Sequence, residues 1–392
     1  MCWCTAACLV TQGWGQTFQA GRYSASLEAT TGLEWNSNPT FSATSQLPDL
    51  FWTAGVSLKS KWELTKENNI SFTLGADYRD AFEHNELDSR KLKYTFFPNT
   101  NFEALVRFSE VLYLHLNYEI TYLTSPVDAV GVDANGNLTT EAIFYERISS
   151  NGSASLQWDL SDFDTLTFTL SRHDLDTFTR AFANTELTTH AVSANWQHLW
   201  NKGWTTQLVA SQSWNDYWQD LQNDSDGQSY SLITTWKATD FLTLVGDVGY
   251  YTTKFDSNGT NGDRSDLGGV YWGIEAEHSV SETLSYSLGY RHTTSLGAVS
   301  NYKDLHTVMW AGTYSGFNRS TVTGRLGHEW VEDSGGRFAE TARRFSGQLE
   351  WQFQLGPQLD LTSFYRYTRK TSDRANRGYE QHMAVTQLTY TF

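Results

Sequence analysis

Charged side chains recur in this chain at alternate positions, opposite bulky apolar ones, and that spacing limits what chemistry they could do. The acidic examples are Glu28, Glu34, Glu63, Asp77, Glu103, Glu119, Asp247, Glu275, Glu277, Glu329 and Glu350, and the basic ones Lys59, Lys61, Arg79, Arg107, Arg291, Arg325, Arg344 and Arg366. In residues 270–277, Val270, Trp272, Ile274 and Ala276 point one way, and Tyr271, Gly273, Glu275 and Glu277 the other. A period of two is that of a β-strand. A strand face carrying both signs of charge needs water, because Lys or Arg facing lipid near a bilayer midplane costs ~2–4 kcal/mol. Such a face can lock neighbouring strands through cross-strand pairs, or line an aqueous passage and set its selectivity. The candidate lumen and constriction residues are Lys59, Lys61, Asp77, Arg79, Arg107, Glu119, Asp247, Glu275, Glu277, Arg291, Arg325, Glu329, Arg344, Glu350 and Arg366. The acidic excess on this face predicts a weak preference for cations.

No catalytic constellation accompanies these charges. The Gly-x-Ser-x-Gly elbow, the His-Glu-x-x-His helix and the phosphate-binding glycine loop are all missing, so no enzyme activity is expected. The ten histidines are scattered, and His198, His278 and His328 fall at strand ends among aromatic residues, where they read as membrane-interface side chains rather than bases or ligands. Asp133-Ala-Asn135-Gly136, Asp224-Ser-Asp226-Gly227 and Asp256-Ser-Asn258-Gly259 resemble the opening of a calcium loop but lack its closing Glu. The other reading is Asx turns at hairpin tips, and no cofactor is expected. All three cysteines (Cys2, Cys4 and Cys8) lie in the first eight residues, and no nearby histidine completes a zinc site. Residues 1–20 read as a signal-peptide remnant and N-terminal tail, with a lipoprotein-type processing site at residues 5–8 the lesser alternative. Residues 21–392 read as one domain.

The elements that must position the charges are long strands. In residues 112–122, Leu112, Leu114, Leu116, Tyr118, Ile120 and Tyr122 oppose Tyr113, His115, Asn117, Glu119 and Thr121. Eleven residues at ~3.3 Å reach about 36 Å, enough to cross a tilted bilayer and longer than most soluble strands. No apolar run of ~18 residues offers a transmembrane helix. An open sheet cannot cross, because its edge N–H and C=O groups would lack partners in hydrocarbon. Aromatic residues make up 15% of the chain, which suits girdles at two membrane interfaces. The net charge of −16 argues against nucleic acid as a partner.

Short connections at residues 65–69, 109–110, 161–164, 201–203, 238–240, 280–282, 315–318 and 355–357 alternate with longer polar ones at 36–50, 81–92, 126–140, 180–187, 216–228, 256–266, 294–302, 333–340 and 371–378. Eight turns and nine loops give 18 strands. The fold class expected is all-β: a single closed antiparallel transmembrane up-and-down β-barrel of about 18 strands (16–18), with short periplasmic turns and longer extracellular loops, in the bacterial outer membrane. A barrel of this size leaves an aqueous channel, and the loops at 36–50 and 126–140 are the ones long enough to narrow it. A propeller is set aside, because each repeat holds two long strands rather than four short ones. Leu388, Tyr390 and Phe392 share the last strand's apolar face and read as the signal for the barrel assembly machinery. The remaining expected partners are outer-membrane lipid and lipopolysaccharide, with small hydrophilic solutes or a polysaccharide as cargo; a structural barrel without transport is the other alternative. The oligomeric state is left open.

Residues 27–41 (Leu-Glu-Ala-Thr-Thr-Gly-Leu-Glu-Trp-Asn-Ser-Asn-Pro-Thr-Phe) resemble the opening of β-barrel porin family 2, with Trp35, Asn36 and Asn38 at the positions of its first aromatic and its Asn/Asp-rich turn. The hairpin layout and terminal aromatic resemble that family over nearly the full length. The resemblance implies an outer-membrane pore, an association of some members with exopolysaccharide export, and no catalytic residues.

Overall fold

Eighteen long antiparallel strands form the wall, in the number and order that the alternation predicts. The computed structural model describes residues 18–392 apart from 44–45, 85–86, 88–93, 97–99, 124–130, 133–137, 140–146, 179–182, 184, 220–221, 258, 261, 298–299 and 338. The strands are β1 (Tyr23–Asn36), β2 (Asp49–Glu63), β3 (Asn69–Ala81), β4 (Thr100–Ser109), β5 (Leu112–Leu123), β6 (Arg147–Asp159), β7 (Asp164–Thr177), β8 (Leu187–Asn201), β9 (Trp204–Tyr217), β10 (Ser225–Lys237), β11 (Leu242–Phe255), β12 (Leu267–Ser279), β13 (Leu284–Leu296), β14 (Tyr302–Phe317), β15 (Ser320–Asp333), β16 (Thr341–Gly356), β17 (Leu359–Ser372) and β18 (Tyr379–Thr391). Each pairs with its neighbours in sequence, and β18 closes the ring on β1. A short strand, Phe18–Ala20, folds back on the start of β1. Another, Tyr94–Phe96, completes the far half of β3, where β4 does not reach. The cysteines and the reading of residues 1–17 lie outside the described residues, as does Asp133-Ala-Asn135-Gly136.

Four of the eight short turns share one local device. The Thr65 hydroxyl accepts hydrogen bonds from the Glu67 and Asn68 amides, Ser161 from Phe163 and Asp164, Thr239 from Phe241 and Leu242, and Ser281 from Thr283 and Leu284. A hydroxyl at the first turn residue thus satisfies two amides that the ladder leaves free. Two expected turns shift: β14 continues to Phe317 and β16 to Gly356, so residues 315–317 and 355–356 are strand and only two residues turn in each case. The loop expected at 216–228 also contracts, because β10 begins at Ser225 and Asp226 and Gly227 are laddered against Trp214 and Ser213. That motif closes a hairpin, and the Asp224 carboxylate accepts the Tyr217 amide at 2.6 Å.

The two faces of the wall differ in what they must meet. On one face lie Leu33 and Trp35 of β1, Trp52, Val56 and Trp62 of β2, Val270, Trp272 and Ile274 of β12, and their equivalents around the ring, all exposed. Trp52 and Trp62 stand ten residues apart on this face, as do Trp204 and Trp214. At ~3.3 Å per residue and a tilt of ~40°, the two aromatic levels are about 25 Å apart, the height of a barrel's lipid-facing band. His198 fits the level at the short-turn end: its ring stacks on Trp196 at 5.7 Å and meets Trp200 edge-on at 4.5 Å.

Among the described residues, the other face carries almost no apolar filling. Among the described residues, the buried hydrophobic side chains are only Phe51, Ala81, Leu87, Ala104, Tyr122 and Ala342. Ser, Thr and Gly dominate this face, with hydroxyl pairs such as Ser155–Thr169 at 2.9 Å and Ser211–Ser229 at 2.6 Å bridging neighbouring strands.

Candidate functional site in the barrel interior

Register and pleat place every sequence-selected charge on this inner face: Lys59, Lys61, Asp77, Arg79, Arg107, Glu119, Asp247, Glu275, Glu277, Arg291, Arg325, Glu329, Arg344, Glu350 and Arg366 all point away from the apolar side. The structure resolves them into pairs and remainders. Glu329 and Arg344 are direct cross-strand partners, 2.6 Å apart. Lys59 reaches Glu28 at 2.7 Å, Arg325 reaches Glu350 at 3.4 Å, Lys61 pairs with Glu63 at 3.0 Å on its own strand, and Arg107 pairs with Glu67 of the first short turn.

Two pairs span an intervening strand, which requires that strand to make room. Asp247, Gly273 and Arg291 lie in one row across β11, β12 and β13. Arg291 reaches Asp247 at 2.7 Å over Gly273, where a Cβ would stand 2.6 Å from the Asp247 Oδ1. Arg79 likewise crosses β2 to Glu34 at 3.0 Å, and its guanidinium lies 3.5 Å from the centre of the Phe51 ring beneath it. Asp77 uses the same arrangement without a cation, its carboxylate lying over Gly55 beside Thr30.

Seven of the eight inner-face cations named from sequence therefore touch a carboxylate. The eighth, Arg366, meets the Met383 sulfur at 3.3 Å. The acids left without a cation in reach, among the described residues, are Asp77, Glu103, Glu119, Glu275 and Glu277. Glu275 and Glu277 stand two apart on one face of β12. Nearby on this wall the Tyr251 and Tyr271 rings stack, centroids 5.5 Å apart and 11° from parallel, with Tyr271 lying over Gly249. A recess of about 600 Å³ opens nearer the short-turn end, lined by Asn69, Glu103, Leu105, Tyr113, His115, Ser155, Gln157 and Thr167.

At the loop end, connections fold onto the inner face. Leu47 and Leu87, from the loops on either side of β2 and β3, pack with Ala81 on the inward-facing Phe51, making an apolar cluster there. The loop at 36–50 thus does turn inward, while 126–140 lies largely outside the described residues. Loops from the β9–β16 side gather around Asp263, whose carboxylate accepts the Ser265 and Asn301 amides at 2.9 Å each and the Ser334 hydroxyl at 2.5 Å. Asn223 donates to the Asp263 carbonyl at 2.9 Å and the Asn301 side chain at 2.7 Å, and its own oxygen accepts the Gly259 amide at 2.7 Å. The motif beginning at Asp256 therefore ties loops together. Burial acts against ionisation of Asp263, yet the hydrogen bonds from Ser334, Asn301 and Ser265 outweigh it and hold the carboxyl below its ordinary range.

Asn36 and Asn38, which carry the sequence resemblance, clasp the closing seam. Gln381 of β18 donates to the Asn36 side chain at 3.1 Å and the Asn38 carbonyl at 3.0 Å, and Asn38 donates to the Glu380 carbonyl at 3.0 Å. Tyr390 and Phe392 meet edge-on at 4.7 Å on the apolar face, and the Phe392 amide donates to the Leu27 carbonyl across the same seam at 2.8 Å.

Sequence reading kept the histidines apart, but the structure brings two together. His292 of β13 and His306 of β14 are direct cross-strand partners on the outer face near the loop end, with Asp304 beside them. Fourteen residues and a loop separate the two in sequence, so no short motif announces them.

No family model matches the sequence, and no curated relative does. Solved structures share the architecture. OccAB3 of Acinetobacter baumannii is 10% identical and superposes with a TM-score of 0.55 over 95% of this chain and 100% of that one. A BenF-like porin from Pseudomonas fluorescens Pf-5 is 12% identical, with a TM-score of 0.55 over 94% and 98%. Pseudomonas aeruginosa OpdK, crystallised with vanillate, is 11% identical, with a TM-score of 0.53 over 94% and 99%. At these identities the likeness is one of fold: a closed antiparallel barrel of 18 strands.

Proposed function

We propose that this chain is an outer-membrane pore that passes small hydrophilic solutes, with a preference for uncharged or cationic ones. The observation that carries the reading is the inner face: polar and half-exposed along whole strands, with no apolar core among the described residues beyond the small cluster at Phe51. Eighteen strands ~4.8 Å apart, tilted by ~40°, enclose a ring about 36 Å across at the backbone, which leaves space for water inside a lining of side chains. The outer face supplies the complementary support, since its apolar band between two aromatic levels fits a bilayer. The short-turn end faces the periplasm and the loop end the exterior, as in bacterial barrels. Most lumen charges act as cross-strand locks, and selectivity rests on the carboxylates they leave over, Glu275 and Glu277 above all.

Reconstitution in planar bilayers tests this. Open-channel conductance with a reversal potential favouring cations in a salt gradient is the expected result, and the Glu275→Gln/Glu277→Gln double variant shifts that potential towards neutrality. A barrel that gives no conductance, or one that is clearly anion-selective, removes the reading. The Tyr251–Tyr271 stack supports a narrower variant in which the cargo is a saccharide, in line with the polysaccharide export implied by the resemblance to β-barrel porin family 2. Liposome swelling with sugars of graded size separates the two, because a polysaccharide exit admits oligomers that a porin for small solutes excludes. We further propose that Leu388, Tyr390 and Phe392 form the assembly signal. A Phe392→Ala chain then reaches the outer membrane at reduced level while its strand sequence is otherwise intact.

A further inference from the structure

We propose that His292, Asp304 and His306 form a site for a borderline divalent transition metal of the Zn²⁺ class on the outer wall, apart from the lumen. One donor atom from each lies within 4.8 Å of the others. The strand scaffold fixes the arrangement. His292 and His306 face each other directly across the β13–β14 ladder, and Asp304 sits two residues from His306 on the same face. The two imidazoles are stacked, centroids 4.3 Å apart and 4° from parallel; a metal lies in the plane of each ring that binds it, so shared ligation requires one ring to turn about its side-chain torsions. The Asp304 carboxylate already meets the His292 Nε2 at 2.6 Å. Outer-shell support is present as well, because the Tyr290 hydroxyl lies 2.6 Å from His306 Nδ1 and orients that ring.

Two histidines and one carboxylate are the three-ligand set of open zinc sites. A tetrahedral ion with bonds of ~2.0–2.1 Å holds its donors about 3.3 Å apart, a contraction from the present spacing that side-chain torsions supply. A lipid-band role explains the trio poorly. A carboxylate and two imidazoles face outwards here, bounded by Trp272 and Trp330, the ladder partners of His292 and His306 on the adjoining strands. The β12–β13 ladder also ends at the Trp272–His292 pair, so beyond it β13 is held from one side only. A metal bridging β13 and β14 would pin that strand where its other neighbour lets go. The fourth position is open to water.

The test uses the full chain folded in detergent, titrated with Zn²⁺ by calorimetry and with Co²⁺ by visible absorption. One equivalent of Zn²⁺ is expected, with a Co²⁺ spectrum lacking a thiolate charge-transfer band. His292→Ala, His306→Ala and Asp304→Asn should each weaken binding at least about tenfold, the floor set by losing even an outer-shell partner, while heat-modifiable gel mobility shows the barrel intact. His306→Gln serves as the gentler variant if the alanine form fails to fold. Unchanged affinity in these variants overturns the proposal, as does a thiolate band, which would place the metal on Cys2, Cys4 or Cys8.

Discussion

Glu340 offers the sharpest test of how the loop end is held. Its side chain is 7% exposed, and its two oxygens meet Lys370 at 2.7 Å and Arg377 at 2.8 Å. Lys370 itself is 5% exposed at the side chain. The same residue forms a backbone clasp, since the Asp333 amide donates to the Glu340 carbonyl at 3.0 Å and the Glu340 amide to the Asp333 carboxylate at 2.9 Å. Glu340→Gln keeps the shape but removes the charge facing a buried ammonium. Breaking a buried pair from one side costs ~3–5 kcal/mol. Water near the loop end relieves part of this, so about 3 kcal/mol is expected, and the cost falls on local opening while the ladder of the wall persists. Native-state hydrogen exchange reads it directly: the Asp333 and Glu340 amides should exchange about a hundredfold faster, at ~1.4 kcal/mol per tenfold. The Glu340→Gln/Lys370→Met pair should recover part of the loss, because the buried ammonium is then gone while Arg377 keeps its charge beside the Gln. A change below about threefold in the single variant, or a double variant worse than the single, refutes the argument. The pH dependence has a fixed sign. Burial opposes the charge on Glu340, but Lys370 and Arg377 outweigh it and hold its carboxyl below the ordinary value of 4.5. Its stabilisation is therefore complete above that value and is lost as pH falls through the depressed folded-state value.

Three further outcomes are expected. Gly273→Ala drives a methyl to 2.6 Å from Asp247 Oδ1 and breaks the pair with Arg291; a loss of ~1–3 kcal/mol in a denaturant titration is expected, and an unchanged midpoint contradicts the crossing geometry. Asn38→Ala strips the seam of the donor to the Ser42 and Glu380 carbonyls; each group left unpaired costs ~1–3 kcal/mol, read as faster exchange at the loop end of β18 with the short-turn end unaffected. Asp263, whose carboxyl sits below its ordinary 3.8, stabilises the gathered loops above that value and loses hold as pH falls through the depressed one, so limited proteolysis between residues 256 and 266 should set in only under strong acid and should appear at neutral pH in Asp263→Ala.

Fold and lining were legible in the sequence because a barrel strand has one rule: alternate residues meet lipid and water, so the period of two names both faces at once. Residues 112–122 and 270–277 needed no knowledge of their neighbours to be assigned, and closure followed from the cost of open edges in hydrocarbon. The same rule placed Asp247 and Arg291 on the inner face but could not pair them, since they meet over a glycine on a strand between them and only register across three strands reveals it. Asn36 and Asn38 looked like a family mark in sequence and prove to be a clasp on a strand more than 340 residues away. His292, Asp304 and His306 became neighbours only through the β13–β14 ladder. Local alternation is written in consecutive residues. Register, seam and loop docking depend on partners distant in the chain, and those only the closed barrel brings together.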